Sequence, residues 1–187
     1  MTWIRTIPKT EADAAYLAAM RSQHALYPKE YEAEVPGLPS SNADGIVATH
    51  SLIPEALHHA FATFGALMNP NLPLDRRQHE LIATVVSQCN CTKYCSVSHR
   101  EFLRRVTGDD ALVSAIEVGD LLTLSPADQL LCRHAEKITR DATRITEQDI
   151  EELRQAGFDD QAILQLTLIA SWFNYINRVA DSLGVAR

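Results

Sequence analysis

The sequence has no run approaching the roughly 18 to 20 apolar residues that cross a bilayer. It also lacks alternating β-branched runs, so nothing in it reads as a strand. Basic clusters are missing as well. Lys and Arg number 17 against 24 Asp and Glu, for a formal charge of −7. Phosphate contacts need grouped Lys and Arg, so nucleic acid is a poor partner, and anionic membrane surfaces are too. Phosphate-binding glycine motifs of the GxGxxG and GxxxxGK[ST] types do not occur, and neither does a GxSxG elbow. No haem or flavin site is visible. Residues Met1–Leu26 carry charges throughout and show no signal-peptide core, so a cytoplasmic location is expected.

Cysteine is scarce, with four in 187 residues, too few for a disulfide scaffold. Three of the four crowd together as Cys89, Cys91 and Cys95. In a reducing compartment such a cluster points to thiol or metal chemistry. Glycine (7) and proline (8) are also few and sit at punctuation points. Apolar residues at 46% and charged residues at 22% are ordinary for a globular chain.

Helix formers fill the intervals. The patterns predict helices over Glu11–His24 behind Thr10, Pro54–Met68, Asp75 to about Gln88, and about Thr92–Val106. Pro36–Asp44 reads as a loop. A turn at Gly108–Asp110 precedes a short helix to about Val118. Ser125-Pro126-Ala127-Asp128 and Thr146-Glu147-Gln148-Asp149 are start signals. Gly157 is a stop, and the last helix starts at Asp159 or Asp160 and ends before Gly184. The expected fold is all-α, with about seven or eight helices. A single domain over 1–187 is expected, with residues 1–50 as a helix-and-loop arm and 51–187 as the helical core.

The stretch Glu80–His99 carries the chemistry. If two helices flank a turn near Asn90, Glu80 and His99 each lie about 14 to 15 Å from it and are level across the hairpin. Cys95 and His99 are spaced i, i+4, so they share a helix face. A carboxylate–imidazole–thiol line is the arrangement of an oriented base and a nucleophile. With Thr92 as N-cap, Cys95 is the third helical residue, where the dipole favours a thiolate. The bland readings are a buried small hydrophobe at Cys95, a surface carboxylate at Glu80 and a core or interface residue at His99.

Two groups contain metal-ligand residue types. His58-His59 and His79-Glu80 contain imidazoles, but His79-Glu80-Leu81-Ile82-Ala83 lacks the second His of a zinc HExxH. Cys89, Cys91, Cys95 and His99 have zinc-ligand types at unsuitable spacing. No metal and no cofactor is expected. Trp172, Phe173 and Tyr175 read as core or subunit interface, with Asn174, Asn177 and Arg178 needing partners if buried.

These residues resemble the AhpD / carboxymuconolactone decarboxylase family. Its motif is a Glu, then Cys-x-x-Cys, then His four residues on, written around N-x-C-x-Y-C-x-x-x-H. Asn90, Tyr94, Cys95 and His99 match, with Glu80 at the family's distance. Residues 125–140 and 146–185, together with Ser51–Leu57, resemble the peroxidase-related subgroup. The resemblance covers most of the chain. It implies an AhpD-like helical bundle, a homo-oligomer, and an antioxidant thiol peroxidase acting on hydroperoxides with an external thiol reductant. It assigns Cys95 to peroxide attack, His99 to proton transfer and Glu80 to orienting His99. Tyr94 is a supporting residue that donates to peroxide or simply packs. The chain departs from the motif where Thr92 replaces the first Cys and Cys91 stands one residue earlier. The usual disulfide partner is therefore missing. Cys91, Cys89, Cys132 or an external thiol would resolve Cys95. Two other functions follow from the same residues: a decarboxylase-like acid/base enzyme, or a catalytically weak redox-sensing or binding protein.

Overall fold

Nine α-helices and no strands occur among the described residues of a computed structural model, which describes residues 2–31, 33–38 and 45–186. They are α1 (Ala14–His24), α2 (Ile46–Thr49), α3 (Pro54–Leu67), α4 (Arg76–Cys89), α5 (Lys93–Thr107), α6 (Asp110–Glu117), α7 (Pro126–Asp141), α8 (Glu147–Gln155) and α9 (Asp160–Ser182). No helix among them is long and apolar enough to cross a membrane. The expected all-α architecture is observed, with one helix more than expected. That helix is α2, a single turn too short to show a period. Of the Pro36–Asp44 loop, residues 39–44 lie outside the described residues.

The helix starts follow the capping residues. Asp75 accepts from the Gln78 N–H, and the Gln78 side chain accepts from the Asp75 N–H, closing a capping box on α4. Ser125 caps α7 with Pro126 in the first turn. Thr146 and Asp149 form a second capping box on α8. Asp159 accepts from the Ala162 N–H at the start of α9. One expectation shifts. A 3-10 turn at Lys9–Glu11 delays α1, and Asp13, not Thr10, accepts the first-turn Tyr16 N–H at 2.8 Å.

The chain divides into two compact units. The first comprises Met1–Asn69 with Arg178–Arg187. In it α1 packs on α3 around Tyr16, Leu57, Phe61 and Phe64, all buried. Gly65 lets Leu26 close in, because a Cβ there would lie 2.4 Å from the Leu26 Cβ. The second unit, Pro70–Asn177, is built on α4, which packs against α5 and α7. Every residue from His79 to Ser87 is buried. Leu81, Leu103, Ile116, Leu131, Leu166 and Phe173 fill the core around it. A helix covered on all sides fixes its polar side chains, and Glu80 is one of them.

Candidate active site

The connection between α4 and α5 is short and specific. Asn90 is the C-cap of α4, and Cys91 follows with φ +57°. The Cys91 N–H donates to the Gln88 carbonyl and the Thr92 N–H to the Ser87 carbonyl, both at 2.9 Å. That pair of bonds is a Schellman motif, in which the left-handed position is usually glycine. Cys91 takes it with a side chain, exposed to solvent. Cys91→Gly is therefore expected to stabilise the fold by up to about 1 kcal/mol. An unfolding free energy that rises by that amount in urea denaturation checks it.

Three asparagines hold this connection. The Asn90 amide donates to Asn174 Oδ1 and Asn177 Oδ1, both at 3.0 Å. Asn177, buried, donates on to Ser87 Oγ at 3.2 Å. Asn174 donates to Thr139 Oγ1 and the Ala170 carbonyl. The α4–α5 connection is thus bonded to α9 and, through Asn174, to α7, and a hydrogen-bonded network of this kind favours one arrangement.

Thr92 occupies the N-cap of α5, with its side chain buried and making no cap hydrogen bond. Cys95 is the third residue of α5 and is buried. The positive end of the α5 dipole lies at this turn. Tyr94, beside it, is also buried.

His99 lies one turn further along α5. Its Nδ1 donates to Glu80 Oε2 at 2.8 Å, and the Glu80 carboxylate is fully buried. The expected pairing across the hairpin is present. A carboxylate at Nδ1 fixes the tautomer and leaves Nε2 as the nitrogen that exchanges protons. The ring is also fixed sideways, edge-on to Phe173 at 4.6 Å and to Phe102 at 5.4 Å between centroids. Phe173 is thus core, as expected, and touches the site as well.

The motif does not single out Arg76, yet an oppositely charged i, i+4 pair marks it. Arg76 Nη2 donates to Glu80 Oε1 at 2.5 Å. Its Nη1 contacts His79 Nδ1 at 2.9 Å, and the Gln165 amide contacts His79 Nε2 at 2.8 Å. Gln165 Oε1 accepts the Leu74 N–H at 3.0 Å. Both Glu80 oxygens therefore have donors, as a buried carboxylate requires. Burial and the Arg76 charge lower the His79 pKa to about 4, so His79 is neutral. Among the described residues no group of three or more Cys, His, Asp or Glu is placed to hold a metal ion.

The remaining cysteines differ in environment. All four are free thiols. Burial, with Asp128 and Glu136 adding to it, pushes the Cys132 thiol up to about 12. It carries no thiolate at ordinary pH. Partial burial also raises Cys89, with Glu136 and Cys91 adding and Arg140 opposing. Cys91 is the exposed thiol nearest Cys95 in sequence.

No family profile matches the sequence, and no curated protein matches it. Solved structures do. An AhpD-core, peroxidase-related protein of Ralstonia eutropha JMP134 is 21% identical with a TM-score of 0.80, covering 98% of this chain and 90% of that one. A peroxidase-related protein of Silicibacter sp. TM1040 is 25% identical with a TM-score of 0.77, over 96% and 90%. A debrominase, Bmp8, solved as a cysteine-to-alanine variant with 2,3,4-tribromopyrrole, is 12% identical with a TM-score of 0.72, over 99% and 91%.

Proposed function

We propose that this chain, AhpD-like and peroxidase-related in fold, is a thiol-dependent peroxidase that reduces hydroperoxides through Cys95. The observation that carries the reading is the Arg76–Glu80–His99 line, with Glu80 and His99 buried and Arg76 half-buried, ending one turn from Cys95. It supplies an imidazole fixed in tautomer and orientation, next to a thiol at a helix N-terminus.

The Cys95 thiolate attacks the terminal oxygen of ROOH, the S–O bond forms and the O–O bond breaks. The sulfur is oxidised by two electrons to a sulfenic acid. The leaving alkoxide takes a proton from the His99 imidazolium and departs as ROH. Glu80 holds His99 throughout. A second thiol then condenses with the sulfenic acid, releasing water, and an external dithiol reduces the disulfide. Cys91 suits the resolving role because it is exposed and lies outside the helix that carries Cys95. Assembly as a homo-oligomer and a cytoplasmic site of action belong to the same reading.

Thr92, in the place of the first motif Cys, favours a second reading: a sensor that is oxidised but turns over slowly. A debrominase on the same fold adds that fold alone does not fix activity. Steady-state consumption of cumene hydroperoxide with dithiothreitol separates these readings. Sustained turnover is expected, and Cys91→Gly slows it by removing the resolving thiol. A single stoichiometric oxidation without turnover supports the sensor. Decarboxylation of a carboxylated lactone that persists in Cys95→Ser supports the acid/base enzyme.

A further inference from the structure

Six threonines lie in the described α-helices. Five of them donate their hydroxyl to the carbonyl four residues back: Thr49 to Gly45, Thr63 to His59, Thr107 to Leu103, Thr139 to Ala135 and Thr167 to Ile163, all at 2.8 to 2.9 Å. This is the ordinary resting place of a helical threonine hydroxyl. Thr84 is the exception. It is fully buried in α4, and its Oγ1 has no hydrogen-bond partner. A buried hydroxyl without a partner is destabilising and calls for an explanation.

Its position supplies one. Glu80 on α4 contacts His99 on the antiparallel α5. One turn nearer the connection, the same register sets Thr84 level with Cys95, since Thr84 lies four residues after Glu80 and Cys95 four residues before His99. Thr84 and Cys95 are both buried. Glu80 and Thr84 also share a face of α4 by their i, i+4 spacing.

We propose that the Thr84 hydroxyl is a catalytic hydrogen-bond donor that is filled only during reaction. This rests on the peroxidase reading above. Its O–H donates to the peroxide oxygen being transferred, lining up the O–O bond with the Cys95 sulfur. It then donates to the same oxygen once that oxygen belongs to the sulfenic acid. In the resting protein the hydroxyl bonds nothing, so its contribution appears in the reaction and not in the ground state. A threonine that back-bonded its own helix would be unable to do this.

The test compares two reactions of Cys95 in wild type, Thr84→Val, Thr84→Ser and Thr84→Ala. One is oxidation by hydrogen peroxide, followed by sulfenic-acid trapping and mass spectrometry. The other is alkylation by iodoacetamide, which transfers no oxygen. Thr84→Val is expected to slow oxidation about tenfold, the worth of about one hydrogen bond, and to leave alkylation unchanged. Its melting temperature stays level or rises, because an orphaned buried hydroxyl is gone. Thr84→Ser keeps most of the oxidation rate. Thr84→Ala, which only opens space, loses it as Thr84→Val does. Oxidation of Thr84→Val at the wild-type rate overturns the proposal, as does equal slowing of both reactions with a lowered melting temperature. If wild-type Cys95 is alkylated but never oxidised, the peroxidase reading falls and this inference falls with it.

Discussion

On the peroxidase reading proposed above, Cys95→Ser is expected to abolish hydroperoxide consumption, reducing it to the rate of the reductant alone. The expected loss is total because the reaction needs a sulfur atom to oxidise. A serine hydroxyl in the same place offers no two-electron donor at that potential. Serine nearly matches cysteine in volume, so no cavity opens at this buried site, and the melting temperature of the variant reads what the buried hydroxyl costs. The Arg76–Glu80–His99 line is untouched, so any chemistry that uses His99 alone persists. Measuring peroxide loss, lactone decarboxylation and melting temperature on the same variant therefore separates a lost nucleophile from a lost fold. Full peroxide consumption in Cys95→Ser would remove Cys95 from the reaction.

Arg76→Met destabilises the protein by about 3 kcal/mol, the usual scale for breaking a buried ion pair from one side. Methionine keeps the length of the side chain while removing its charge. Glu80, fully buried, then loses the Arg76 charge and the hydrogen bond that Arg76 gives Oε1, while His99 still bonds Oε2. For a chain of this length the melting temperature falls by roughly 10 °C. Arg76→Lys restores part of that loss, since an ammonium keeps the charge but does not reach Glu80 and His79 with two arms.

The same guanidinium shapes the acid limb of stability. His79 binds its proton near pH 4 when folded and near 6.5 when unfolded. Between those values the unfolded chain binds more protons, so stability falls as pH falls through the window, by about 3 kcal/mol in all. His50 and His134, also pushed down by burial, act in the same direction. Asp128 acts at lower pH. Burial raises it, but donors from Ser125, Arg77 and Gln78 outweigh that and hold it below its ordinary value. Arg76→Met lifts the His79 pKa toward neutral and flattens the acid limb relative to wild type. Urea unfolding from pH 7 to about pH 4 reads this difference. An unchanged slope would mean that the Arg76 charge does not act on His79.

The hairpin was legible because a helix rises by a fixed amount per residue. Counting from Asn90 sufficed to pair Glu80 with His99 and to put Cys95 on the face of His99. Start signals were legible for a related reason: Asp75, Ser125 and Thr146 each act on an N–H three residues away. The sequence does not display partnerships across long separations. Asn90 meets Asn174 and Asn177 at separations of 84 and 87 residues, and Gln165 meets His79 at 86. The left-handed backbone at Cys91 was hidden too, because glycine is the residue that normally announces it. In the sequence Thr84 reads as any β-branched helical residue, because nothing local shows that its hydroxyl has no partner.

The most direct measurement is iodoacetamide labelling of the native protein between about pH 5 and 9, read at each cysteine by mass spectrometry with and without prior hydrogen peroxide. Cys95 is expected to label, and prior peroxide to block that labelling, while Cys132, held protonated by burial, stays unlabelled. A Cys95 that is inert at every pH, or that labels equally after peroxide, would contradict the peroxidase reading.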